Sequence, residues 1–144
     1  MIEFTNTIEI HRPVAEVFAF VSDLGHTPEW NWAISETRKT TEGPVGVGTT
    51  YRQTRTVPQH ATEELEITAL QPDQLLEVTG VLASLPAHLT YRFHTAPQGT
   101  RLENTVQLQP AGALRLLAPL TAKRIERSVA ENLGVLKNRL EGRA

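Results

Sequence analysis

Cysteine is absent from the 144 residues, which excludes a disulfide framework, Cys-ligated zinc, an iron–sulfur cluster and a thiol nucleophile. Such a chain fits a reducing compartment. Aromatic residues are scarce at 6%. No apolar run approaches the ~20 residues a membrane helix needs; the stretch Leu114–Leu120 is broken by Arg115 and Pro119. Neither sign of charge dominates: 14 Lys plus Arg stand against 16 Asp plus Glu, a formal charge of −2. Without a like-charge block there is no electrostatic footprint for nucleic acid or an anionic membrane. Glu3, Asn6 and Glu9 interrupt the first eleven residues where an export signal needs a continuous apolar run, so a cytoplasmic location is expected. No repeat, low-complexity tract or Pro/Gly/Ser linker divides the chain. Residues 1–144 are expected to form a single domain, since ~150 residues can bury roughly 70% of the unfolded surface.

What is present is periodicity. Ile2, Phe4, Ile8 and Ile10 share one parity against Glu3, Thr5, Thr7 and Glu9, the signature of a strand with one buried face. Pro13 then suits the first turn of a helix running to about Ser22, with a stripe of Val14, Val17, Phe18 and Val21. Asp23-Leu24-Gly25 ends it, and a second short helical turn is expected over Pro28–Trp32. Turn signals follow at Glu42-Gly43-Pro44, Val57-Pro58-Gln59, Gln71-Pro72-Asp73, Leu85-Pro86 and Pro97-Gln98-Gly99. Between them lie six expected strands: Ile34–Thr41, Thr49–Thr56, Ala61–Leu70, Leu75–Val81, Ala87–Thr95 and Arg101–Gln109. Finally Leu117, Thr121, Ile125, Val129, Leu133 with Leu136, and Leu140 recur at helical spacing. A helix over Pro119–Glu141 spans roughly 34 Å at ~1.5 Å per residue. A leading turn, Ala113–Ala118, precedes it and Gly142 stops it.

This order predicts an α+β fold: a seven-stranded curved antiparallel sheet wrapped around a long C-terminal helix, with two short helices between strands 1 and 2. One helix is too narrow to cover the concave face of such a sheet. With few aromatics to fill the remainder, a cavity is expected, the usual form of a small-molecule site.

The parity of the strands nominates its lining. Leu65, Ile67 and Val78 face inward, as do Leu89, Tyr91 and Phe93; Tyr91 offers a phenol at the end of an apolar body. Asn104 shares the inward parity of Leu102, Val106 and Leu108, so it reads as a ligand contact or as an amide satisfied by nearby backbone. Asn6 falls inward too unless a bulge turns it out. Thr121 and Ile125 belong to the helical stripe. The strand over residues 49–56 presents either Tyr51, Gln53 and Arg55 or Thr50, Arg52 and Thr54. A two-residue turn at Pro58-Gln59 sets Arg52 beside Leu65 and Ile67, whereas a loop of odd length exchanges the faces. An inward arginine requires a carboxylate or an acidic ligand. Glu63 is the one inward carboxylate by parity.

Other chemistry finds no support. The five histidines form no H-x-H or H-E-x-x-H pair, so no metal is expected. There is no G-x-S-x-G elbow or phosphate loop, and Gly46-Val47-Gly48 has no following helix to make a dinucleotide fingerprint. No catalytic residue and no cofactor are nominated.

The chain resembles the START-related helix-grip (SRPBCC) superfamily, in its polyketide cyclase/dehydrase-like group. The resemblance rests on I-E-I-H-R-P-V-A-E-V-F-A-F-V-S-D (Ile8 to Asp23) with Trp30-Asn31, and on G-P-V-G-V-G-T-T-Y-R (Gly43 to Arg52). L-Q-P-D-Q-L-L-E-V (Leu70 to Val78), L-T-Y-R-F (Leu89 to Phe93), G-T-R-L (Gly99 to Leu102) and the closing E-N-L-G-V-L-K-N-R-L-E (Glu131 to Glu141) complete it. It implies a helix-grip fold whose cup takes lipid, sterol, polyketide or quinone ligands, with a minority of enzymes, and it sets Trp30 at the cavity mouth. Fold alone does not give function. Three readings follow. The first is a cytoplasmic monomer or homodimer that binds an apolar or amphipathic small molecule of polyketide, lipid or isoprenoid type. The second is a cofactor-independent cyclase, aromatase or dehydratase using the same cavity. The third is a protein-interaction module without a ligand, which a filled core would favour.

Overall fold

The computed structural model describes residues 1–110, 112 and 118–142. The first strand, β1 (Ile2–Ile10), leads to α1 (Val14–Ser22), with Pro13 at its N-cap. Pro13 lacks the N–H that would go unpaired there. Val17 and Val21 are buried while Val14 and Phe18 pack partly exposed beside them, so the predicted stripe faces the core. The short turn lies upstream of its expected position, as a 3-10 helix over Leu24–Glu29. Asp23 explains the shift, since its Oδ1 accepts the Gly25 N–H at 3.1 Å and starts the turn at once.

Six strands follow: β2 (Ile34–Lys39), β3 (Thr50–Arg55), β4 (Ala61–Gln71), β5 (Leu75–Leu82), β6 (Leu85–Ala96) and β7 (Gly99–Leu108). They form one antiparallel sheet in the order β1-β7-β6-β5-β4-β3-β2. The β5–β6 connection corrects the turn read at Leu85-Pro86. Ala83 and Ser84 make it instead, with φ of 50° and 71°, while Pro86 pairs with Val81 inside the hairpin. Positive φ at both central residues matches the twist of a two-residue hairpin, though neither residue announces it.

The last element is α2 (Ala118–Leu140). Gly142 follows at φ 77°, and the Glu141 N–H bonds the Lys137 carbonyl at 2.9 Å, the left-handed ending that glycine permits. The leading turn expected over residues 113–118 falls, apart from the backbone of residue 118, outside the described residues. No helix among the described residues is long and apolar enough to cross a membrane.

The concave face carries the core in two connected parts. One joins Val17, Val21, Leu24 and Trp30 to Ile67, Leu76, Phe93 and the C-terminal half of α2 through Leu133 and Leu136. The other joins Ile2, Phe4, Ala87, Val106 and Leu108 to Ala122, Ile125 and Val129.

Candidate functional site

Strand register fixes what the concave floor offers. Ile67, Val78, Leu89, Val106 and Phe4 stand in one cross-strand row from β4 to β1. The next row reads Leu70, Leu76, Tyr91, Asn104 and Asn6, and Phe93, Leu102 and Ile8 make the one beyond it. A polar band of Tyr91, Asn104 and Asn6 therefore crosses three adjacent strands between apolar rows. It is partly committed: Asn6 donates to the Glu126 carbonyl of α2 at 3.2 Å, and Asn104 Nδ2 donates to the Thr90 carbonyl at 3.3 Å. The first strand has no bulge at Asn6, which stays inward opposite Asn104.

The helix over this floor is fastened along one edge. Backbone approach of α2 to the sheet is concentrated on β1. Lys137 Nζ donates to the Glu9 carbonyl at 2.6 Å and the His11 N–H donates to Glu141 at 2.7 Å. Farther across the floor, Leu82 and Leu89 are only partly buried, and so are Ile125 and Val129 on the facing helix. Solvent thus reaches apolar side chains on β5–β6 and on the N-terminal half of α2. The opposite end is closed by α1 and the 3-10 helix, where Phe18 meets Phe93 edge-on at 5.1 Å.

A clasp joins that closure to α2. Arg139 reaches Glu29 at 2.8 and 3.0 Å and lies over Phe20, while His26 stacks on Phe20 and places Nδ1 2.6 Å from the same carboxylate. Hydrogen bonding from His26, reinforced by Arg139, holds Glu29 below the usual carboxylate range. The sequence reading did not name this group.

Leu65, Ile67, Val78, Tyr91, Phe93 and Asn104 are buried on the concave face, and Leu89 lies there partly exposed. Trp30 is buried in the core beside Leu24. Thr121 and Ile125 are half-buried on α2. Arg52 is the correction: it lies on the convex face, 47% exposed and 2.8 Å from Glu64. The loop over residues 56–60 has odd length, so Tyr51 rather than Arg52 pairs with Leu65, and Tyr51 and Gln53 face inward.

The inward arginine is Arg55, and it has its carboxylate. Glu63, with a side chain 4% exposed, accepts Arg55 Nε at 2.8 Å, Gln53 Nε2 at 2.9 Å and the Ala83 N–H at 2.6 Å. Three donors leave this group structural. On the convex face His88 stands 2.7 Å from Glu77 and His94 2.5 Å from Glu103. The described residues hold no cluster of three potential metal ligands. Two surface depressions lie elsewhere, one of about 640 Å³ beside Asp73, Arg92 and Arg101 that reaches Val14 and Phe93, and one of about 310 Å³ on the outer flank of α2.

The chain's two tyrosines both sit inside. Burial pushes the Tyr91 phenol up to about 12, and burial with the nearby Asp23 charge raises Tyr51 above 10. Tyr91 is therefore a neutral hydrogen-bond donor at physiological pH. An unfolded tyrosine ionises near 10, so this stability contribution is complete below pH ~10 and is lost as pH rises through about 12. In an alkaline titration of Tyr51→Phe, which leaves Tyr91 as the one phenol, the folded protein is expected to show almost no phenolate absorbance at pH ~10, the signal appearing only at higher pH or with unfolding. A folded chain half-titrated near pH 10 contradicts this placement.

Asn132 is among the buried polar residues that the sequence patterning does not single out. Asn132 on α2 is 7% exposed and its Oδ1 has no partner. Its signal was available in the sequence, as a polar residue on the stripe formed by Val129, Leu133 and Leu136.

A family profile described as polyketide cyclase/dehydrase and lipid transport matches residues 1–141. Among solved structures, a Thermus thermophilus protein is similar with a TM-score of 0.77 at 18% identity, over 97% of each chain. Ara h 8.0201 follows at 0.65 and 19%, over 94% of this chain and 98% of the other. The di-domain ARO/CYC StfQ from the steffimycin biosynthetic pathway is similar at 0.73 and 16%; 98% of this chain corresponds to 51% of that one, about half its length. No curated protein matches in sequence. At these identities the structural likeness establishes the fold, and the profile, spanning nearly the whole chain, establishes kinship: the protein belongs to the polyketide cyclase/dehydrase and lipid transport family of the START-related helix-grip superfamily.

Proposed function

We infer that the protein binds an apolar or amphipathic small molecule, of polyketide, lipid or isoprenoid type, in the cleft between the concave sheet and α2, and does so in the cytoplasm. The observation that carries this reading is the Tyr91–Asn104–Asn6 band set between apolar rows of the concave face, with the partly exposed Leu89 in the neighbouring row. Burial of the ligand's apolar body supplies affinity at ~25 cal/mol per Å², and the band sets its orientation. Tyr91 donates, while the Asn104 side-chain carbonyl accepts. Leu89 and Ile125 flank the entrance, with Val78 behind Leu89 on the floor. Binding is favoured over catalysis because the described concave face offers no free acid or base: Glu63 is held by three donors and Tyr91 stays neutral.

Native and denaturing mass spectrometry of the purified protein is the first test, with a discrete co-purified apolar molecule as the expected result. For that molecule, Tyr91→Phe with Asn104→Leu is expected to weaken binding by about 30-fold, taking ~1 kcal/mol per lost hydrogen bond. Unchanged affinity in a folded double variant removes the polar band from the recognition mechanism.

A further inference from the structure

We propose that Asn132 is a second polar anchor, facing the floor from α2, and that it selects small apolar molecules bearing a hydroxyl. This rests on the reading of the cup as a ligand site. At 100° per residue Asn132 stands about 20° from Ile125 and about 40° from Leu136 around the helix axis, within the arc that packs on the core. It is 7% exposed and its Oδ1 is buried without a partner. The other two inward asparagines each engage their amide nitrogen, Asn6 donating to the Glu126 carbonyl and Asn104 to the Thr90 carbonyl.

A buried carbonyl without a donor costs its desolvation, and asparagine in a helix interior is poorer than leucine on propensity. Leucine is nearly the same size and would remove both costs at this position. A residue that breaks local rules twice on a site-facing surface marks a functional position. The missing partner is a donor supplied from outside the chain. A ligand hydroxyl pointing at α2 meets that need, and its apolar body then lies against Ile125, Val129 and Leu89. The same hydroxyl can accept from the Tyr91 phenol if its ring or chain bridges the cleft.

The test uses two fluorescent probes of one shape, 2-naphthol and 2-methoxynaphthalene, titrated against the full chain and against Asn132→Leu and Asn132→Ala. The methoxy compound keeps the acceptor and loses the donor. Wild type is expected to prefer 2-naphthol by about fivefold, the factor one ordinary hydrogen bond supplies. Both variants are expected to lose that preference while binding 2-methoxynaphthalene within about twofold of wild type. Asn132→Leu should also unfold at no lower a temperature than wild type, which separates lost recognition from lost structure. A preference that survives in both folded variants overturns the anchor and leaves the cup reading standing, with a buried water as the partner of Oδ1. If neither probe binds wild type, the cup reading fails and the anchor fails with it.

Discussion

Replacing Glu63 with leucine is expected to lower the unfolding free energy by about 3–5 kcal/mol, the range for removing one partner of a buried ion pair. Arg55 is only 13% exposed in its side chain, and Glu63 is the carboxylate that compensates it. The same substitution strands the Gln53 amide and the Ala83 N–H. Ala83 has a further stake, because it and Ser84 hold positive φ without being glycine, at a cost of ~1–2 kcal/mol per residue. The Glu63 carboxylate pins that turn from the neighbouring strand. Urea unfolding of Glu63→Leu, Arg55→Met and the double variant makes the assignment. The double variant should recover the part of the loss due to the unpaired guanidinium, while the Gln53 amide and the Ala83 N–H stay without their acceptor. A double variant as unstable as Glu63→Leu alone would show that an unpaired guanidinium is not the cause.

Gly99→Ala is expected to cost about 3 kcal/mol, the upper end of what backbone strain at one residue stores. A Cβ there would stand 2.3 Å from the Ile10 carbonyl oxygen and 2.7 and 2.8 Å from the Arg12 nitrogen and oxygen. All three are backbone atoms, so no side chain can move aside. They also belong to the link between β1 and α1, which Thr100 fastens by donating its hydroxyl to the Arg12 carbonyl at 2.8 Å. Melting should fall by roughly 6–12 °C, at ~2–4 °C per kcal/mol for a domain of this size. Gly43→Ala is the control. It also has positive φ, at 91°, but nothing lies within 4 Å of its Cβ position. Only the conformational penalty, ~1–2 kcal/mol, should appear there, and equal losses at the two sites would rule out the close approach as the cause at Gly99.

The strands were legible in the sequence because their alternation is strict, as in Leu89, Tyr91 and Phe93, and a half-buried sheet demands it. Helix α2 was legible for the same kind of reason at a different period. Faces were harder wherever a loop set them. Arg52 and Arg55 exchanged roles through the parity of residues 56–60, which no local pattern specifies. Proline misled at Leu85-Pro86, since the hairpin used two ordinary residues in an unusual conformation. The Tyr91–Asn104–Asn6 band was half visible: inward parity was readable for each member, but their adjacency depends on β1 pairing with β7. The clasp of Glu29, His26 and Arg139 joins residues 110 positions apart, and only tertiary structure brings them together.

The strand order carries a consequence for how the chain is made. Every neighbouring pair from β2 to β7 is adjacent in sequence, whereas β1 lies beside β7. On the ribosome the meander can zip hairpin by hairpin, with short loops to close. The opening strand has to wait for a partner completed about 100 residues later, roughly 5–20 s at ~5–20 residues per second. Throughout that interval Ile2, Phe4, Ile8 and Ile10 have no β7 to cover them, and α2, which finally seats on β1, emerges later still. The first ten residues are thus the stretch of nascent chain most in need of a holding chaperone, and closure of this one long-range pairing completes the cup.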